Sequence, residues 1–127
     1  TLRRSSAASD VYKRQFSMST YKILYWKEIP TQLKYKDNNG DEVSFPLSLT
    51  FQTTIDAIAM HDGSIESGAY LDAWEWGPVI ETKLDPKEII NSYDQNIPKS
   101  FINKLKKLHD EGNRSGLPGS IDLWFKN

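Results

Sequence analysis

The hydrophobic period of this chain changes at Ser48, from two to about 3.6. Before that point, Tyr21-Lys22-Ile23-Leu24-Tyr25-Trp26 is dense in aromatic and β-branched residues, which suit a pleated, half-buried surface. It predicts a first strand that Pro30 ends. Next, Leu33-Lys34-Tyr35-Lys36 and Val43-Ser44-Phe45 flank Asn38-Asn39-Gly40, where Asn and Gly accept the positive φ of a tight reversal. A two-residue Asn39-Gly40 loop would split the apolar residues between the two faces. A three-residue loop with Gly40 left-handed sets Leu33 opposite Phe45, Tyr35 opposite Val43 and Lys36 opposite Glu42. That register gives one apolar face and a cross-strand ion pair, and it is the one expected.

Beyond Ser48, residues Phe51, Ile55, Ile58 and Ala59 fall at i, i+4, i+7 and i+8. This spacing predicts an amphipathic helix, with Ser48 as N-cap, Gly63 as C-cap and His61 in the last turn. Tyr70, Leu71 and Trp74 suggest a short helical turn, broken by Trp76-Gly77-Pro78, and Val79–Thr82 reads as a weak strand. Asp85-Pro86-Lys87-Glu88 spells out a helix start: a capping side chain, Pro at the first helical position and Glu three residues after the cap. Ile89, Ile90 and Tyr93 are its buried side. A third helix is expected from near Pro98, with Phe101, Ile102, Leu105 and Leu108 in one stripe and Gly112 as its stop. Ile121, Leu123 and Phe125 then alternate with polar and aromatic residues, as a last strand or as a tail docked on the core. The fold class is therefore α+β, a small antiparallel sheet packed against two to three helices. Strand one is expected to be central, with Trp26 and Phe51 in a single core.

A chain of 127 residues is long enough for one domain rather than two. Residues 1–17 carry no periodicity, and Asp10-Val11-Tyr12-Lys13-Arg14-Gln15 resembles the in-frame translation of a transposase adapter used in sequencing libraries. They are read as a non-native scar or disordered tail, with Met18 as the start and 18–127 as the domain. Without them 12 Lys and Arg face 16 Asp and Glu, a net charge of −4. Such a balance offers no overall footprint for a phosphate backbone, so no nucleic-acid partner is expected. The absence of cysteine rules out disulfides, thiolate metal sites, iron–sulfur clusters and a cysteine nucleophile. No run approaches the roughly 18 apolar residues of a membrane span, and no signal-peptide segment is visible. A cytoplasmic protein with no cofactor is the expectation.

Tyr25-Trp26-Lys27-Glu28-Ile29-Pro30 with Gln32, then Phe51-Gln52 with Ile55-Asp56 and Ala59, then Tyr70-Leu71, Trp74 and Trp76-Gly77-Pro78, form a recognisable set. By these residues the sequence resembles the virulence factor domain family of bacteria, the small module also found in conserved virulence factor C. The resemblance runs from about Tyr21 to Pro78. The family-like part is taken as 21–95, and 96–127 as an unrecognised extension. The resemblance implies a bacterial protein whose family name reflects a phenotype, and it carries no reaction, cofactor or catalytic residue with it.

Trp74 and Trp76 around Glu75 are the most unusual feature, because an extended segment would put both indoles on one face and Glu75 on the other. Two readings are open. Trp76, with Glu75, Tyr70 and Trp74 as neighbours, forms an aromatic platform for an unknown protein or small-molecule partner, since an indole buries large area and keeps an N–H donor. Alternatively, both rings close the core and Gly77-Pro78 makes a tight turn. An enzyme using Glu75, His61 or Asp62 in a cleft beside Trp74 and Trp76 is a further reading. Residues 61 and 62 are adjacent and diverge on a helix, and neither histidine has a metal-ligand partner at a recognisable spacing. The lysines of the third helix are read as its wet side, followed as they are by Asp110 and Glu111.

Overall fold

The computed structural model of the chain describes residues 18–126. Residues 1–17, read above as a scar or tail, lie outside them. β1 (Ser19–Trp26) is paired along both edges, which makes it the axis of a five-stranded antiparallel sheet. β2 (Ile29–Lys36) lies on one side of it, with β3 (Glu42–Pro46) beyond. The other edge is shared by two short strands. β4 (Trp74–Trp76) pairs with Leu24–Trp26, and β5 (Ile80–Thr82) with Ser19–Tyr21. Between them the Gly77 N–H donates to the Ile23 carbonyl at 2.8 Å, which keeps the edge hydrogen-bonded where the chain turns at Pro78.

The β2–β3 register is the one the apolar pattern requires, with Leu33 opposite Phe45, Tyr35 opposite Val43 and Lys36 opposite Glu42. Gly40 takes φ 90°, the left-handed value that a three-residue reversal asks of its last position. The expected Lys36–Glu42 ion pair is not made, however. Among the described residues the ion pairs are those of Lys27, His61 and Arg114, so the two side chains face each other in register but stay in water.

Pro30 does not end the first strand. The chain reverses earlier, over Lys27 and Glu28, with Trp26 opposite Ile29, and Pro30 sits inside β2 opposite Tyr25 where the register shifts. A bulge tolerates proline because the ladder there is already interrupted. Lys27 carries φ 51°, an uncommon value for a side chain other than Gly, Asn or Asp, and its N–H donates to the Ala73 carbonyl at 3.0 Å.

α1 (Leu49–His61) begins at Ser48, whose side chain accepts from the Thr50 N–H, and ends at Asp62 with left-handed Gly63 after it. Two single-turn helices follow, α2 (Ser64–Ser67) and α3 (Ala69–Asp72). Trp74 lies in β4 and not in the expected helical turn, and Leu71 is exposed. α4 (Pro86–Asp94) starts on the complete capping box of Asp85 and Glu88. α5 (Phe101–Asp110) starts three residues after Pro98, following Ser100 at φ 56°. The last segment is a 3-10 turn at Asp122–Phe125 and not a strand. Its 3-10 spacing buries Ile121 and Phe125 and leaves Leu123 outside, so the segment docks as a tail.

One core runs from Ile23 to Phe125. Ile23, Tyr25 and Leu33 present its sheet face, and Phe51 stands at its centre with edge-to-face contacts to Phe101 and Phe125 at 6.1 and 5.4 Å. Trp26, Phe51, Ile55 and Ile58 are fully buried. No helix among the described residues is long and apolar enough to cross a membrane. Phe51→Ala is expected to lose about 3 to 5 kcal/mol of stability in urea unfolding. A loss below about 1 kcal/mol would contradict the placement of α1.

Candidate functional site

Alternation along β4 and across the sheet puts Trp74, Trp76, Leu24, Lys22 and Lys34 on one face, since Leu24 lies opposite Trp76 and Lys22 opposite Lys34. The two indoles nevertheless do different things. Trp74 is half-buried and meets the Tyr70 ring edge-on at 6.0 Å, and Tyr70 in turn lies 5.8 Å from Trp26. The Trp26 indole N–H donates to the Tyr70 carbonyl at 2.9 Å, so this ladder of rings is fastened to the core. Trp76 stands outside the core and remains 36% exposed. Its ring has the Lys22 ammonium at 4.9 Å and the Lys34 ammonium at 5.0 Å from its centroid. Glu75 points away from that face and is exposed. Gly77 is needed for packing: a Cβ there would lie 2.7 Å from the Tyr25 ring. The group that approaches Gly77 closely is thus Tyr25.

The chain's densest set of charges is elsewhere, and the sequence patterns do not disclose it. Arg114 forks onto Glu28, Nε to Oε2 at 2.5 Å and Nη2 to Oε1 at 2.8 Å. Its Nη1 donates to Asp62 Oδ2 at 2.8 Å, where Lys27 Nζ also donates at 2.8 Å. Lys27 reaches Ser64 Oγ as well, and the Ser64 N–H caps Asp62 Oδ1. Glu28, Asp62 and Arg114 have side chains 1%, 1% and 6% exposed, so these three are almost dry, while Lys27 is 27% exposed at the rim. Burial pushes the Asp62 carboxyl up, but hydrogen bonds from Lys27, Ser64 and Arg114 outweigh it and hold the carboxyl well below the ordinary carboxylate range. A carboxylate so held is a weak base, far from the near-neutral value that proton abstraction favours.

The candidates for chemistry do not converge. His61 Nε2 pairs with Asp110 Oδ1 at 2.8 Å and its ring abuts His109, Asp62 belongs to the arginine network, and Glu75 lies on the edge strand β4. A cleft of about 340 Å³ does open over the network, lined by Lys27, Asp62, His109, Arg114, Ser115 and Gly116, with neither Trp74 nor Trp76 in its wall. Among the described residues no group of three or more His, Asp or Glu could hold a metal ion.

The family model described as virulence factor matches residues 24–108, two thirds of the chain. The chain belongs to the virulence factor family. No curated protein and no solved structure matches it. The span matched to this family begins in β1 and closes in α5. It holds Lys27, Glu28, Asp62 and the Trp76 face except Lys22, and leaves Arg114 and the 3-10 turn beyond its end. In this family member the segment after residue 108 therefore completes both the ion network and the core, through Arg114, Ile121 and Phe125.

Three places in the chain show how contact at long separation escapes a pattern reading. Lys27-Glu28 between an aromatic strand and Ile29 is a two-residue reversal hidden by the proline after it, and Arg114 lies 86 residues from Glu28 in an otherwise unremarkable loop. Asp122 is the third. Tyr25 donates to its Oδ2 at 2.7 Å, while Oδ1 is buried with no partner, and burial raises the carboxyl's pKa.

Asp62 and Asp122 thus act on stability with opposite signs. Asp62, lowered in the fold, contributes stability that is present above the ordinary aspartate value and lost as pH falls below it. Asp122, raised in the fold, contributes stability that is present below that value and lost as pH rises. Between about pH 3 and pH 7, the difference from wild type is expected to move in favour of Asp122→Asn and against Asp62→Asn as pH rises, measured by urea unfolding. Parallel profiles for the two variants would contradict both assignments.

Proposed function

We infer that this member of the virulence factor family is a small non-catalytic binding module of the bacterial cytoplasm, engaging a protein or small-molecule partner through Trp76, with Glu75, Tyr70 and Trp74 around it. The observation that carries the reading is the division of labour within Trp-x-Trp: Trp74 is tied into the core through Tyr70, whereas Trp76 is held outside it on the open sheet face. A large apolar side chain on a rigid strand, kept out of the core, has the composition and placement of an interface anchor. The strongly shifted carboxylate is accounted for by its role in packing, since Asp62 and Glu28 neutralise the buried Arg114 and Lys27 joins Asp62 from the partly exposed rim. The bacterial and cytoplasmic parts of the reading rest on the family and on a composition free of cysteine.

Trp76→Ala is expected to keep stability within about 1 kcal/mol of wild type, because Trp76 lies outside the core cluster, and to abolish retention of the partner that wild-type protein captures from its host. Unchanged capture by the folded variant would remove the site, and a larger loss of stability would show that Trp76 serves packing.

A further inference from the structure

The open face carries more than one indole. Lys22 and Lys34 face each other across β1 and β2, both ammoniums lie over Trp76, and among the described residues neither has a carboxylate within ion-pair distance. Like charges gathered on one ring repel, and an anion placed between them would relieve that repulsion as well as pair with each. Lys36 continues the cationic end, where a depression of about 240 Å³ is lined by Thr20, Lys22, Lys34, Lys36 and Val79 together with Glu42. At the other end of the same face, a depression of about 410 Å³ has Leu24, Gln32, Pro46 and Trp74 in its wall. Leu24 lies two residues along β1 from Lys22, which on a strand is about 7 Å on the same face. Trp76 lies beside Leu24 on the neighbouring strand, with the Lys22 and Lys34 ammoniums over its ring.

We propose that this face binds an acidic peptide segment in which a pair of carboxylates, held by Lys22 and Lys34 over Trp76, lies two to three residues from an apolar side chain seated beside Leu24 and Trp74. The proposal rests on the Trp76 platform described above and gives its partner a chemistry. A phosphate backbone fits less well. Beside the three lysines stand Glu42 and Glu81, which a run of phosphates would meet, and the Leu24 depression offers apolar wall where a polyanion has no apolar group to place. A peptide supplies a few discrete charges and an apolar anchor together.

The test uses the full chain and a synthetic octapeptide, Ser-Glu-Glu-Ser-Phe-Ser-Gly-Ser, followed by tryptophan fluorescence and calorimetry at low and at physiological salt. Three comparison probes are the same peptide with Lys in place of Glu, the same with Ser in place of Phe, and oligothymidylate. The expected result is saturable binding of the acidic peptide alone, weakened about tenfold or more by the double variant Lys22→Ala, Lys34→Ala and by raised salt, and weakened also by loss of Phe. Trp76→Phe, which keeps an aromatic face, retains part of the affinity, and melting curves confirm that each variant is folded. Equal or tighter binding of oligothymidylate would overturn the proposal in favour of a nucleic acid. Acidic-peptide binding that ignores the lysine substitutions, or no binding of the acidic peptide, would overturn it too. If the host partner is nevertheless lost on Trp76→Ala, the platform stands and only its acidic partner falls. Peptide binding that survives Trp76→Ala sinks the platform itself.

Discussion

Arg114 joins three parts of the chain that sequence keeps far apart: the Lys27-Glu28 reversal of the first hairpin, the Asp62 end of α1, and the loop that leads to the 3-10 turn. Each contact is short and both carboxylates are almost dry, so removing Arg114 would leave Glu28 unpaired in a low dielectric, at a cost of about 3 to 5 kcal/mol, while Asp62 would keep Lys27. The arrangement gives specificity of geometry more than net energy. It fixes the left-handed Lys27, whose N–H is also bound to Ala73, and so sets where β4 begins relative to β1. That register in turn decides which face Trp76 is on.

From this follows the contrast between the two polar regions of the molecule. In the network, cations and carboxylates balance, three donors of Arg114 go to Glu28 and Asp62, and Asp62 is held deprotonated far below neutral pH. On the sheet face, two ammoniums gather over an indole and, among the described residues, neither has a carboxylate within ion-pair distance, Glu42 standing further along the same depression. Burial with full pairing is what packing needs. Exposure with unbalanced charge is what recognition uses.

Much of the fold is written locally, and that part is legible. The switch at Ser48 from strands to the 3.6 period of α1, the Asp85–Glu88 capping box, Ser48 as a cap and the apolar match of Leu33 with Phe45 all reappear in the structure. Local signals also misled where a stronger constraint overrode them. Pro30 was expected to terminate a strand but is carried by a bulge, and Leu123, in apparent strand alternation, points to solvent because the segment winds as a 3-10 turn around Phe125. The Lys36–Glu42 pairing has the right register and no ion pair, since exposed charges gain little by meeting. For the site, the sequence singled out Trp76 but not the lysines over it, which come from two other strands, and nothing local distinguishes Arg114 from any loop arginine. Side chains brought together by sheet register or by long-range ion pairing leave no periodic trace.

The central claim is that the ion network is interior and Trp76 is exterior, and proton exchange at side-chain nitrogens reads both in one spectrum. In a ¹⁵N-labelled sample transferred to deuterium oxide, the indole N–H of Trp26, bound to the Tyr70 carbonyl, and the Nε–H of Arg114, bound to Glu28, should persist long after the Trp76 indole N–H has exchanged at the rate of a free indole. Protection of Trp76 comparable to that of Trp26, or exchange of Arg114 as fast as that of Trp76, would contradict the account.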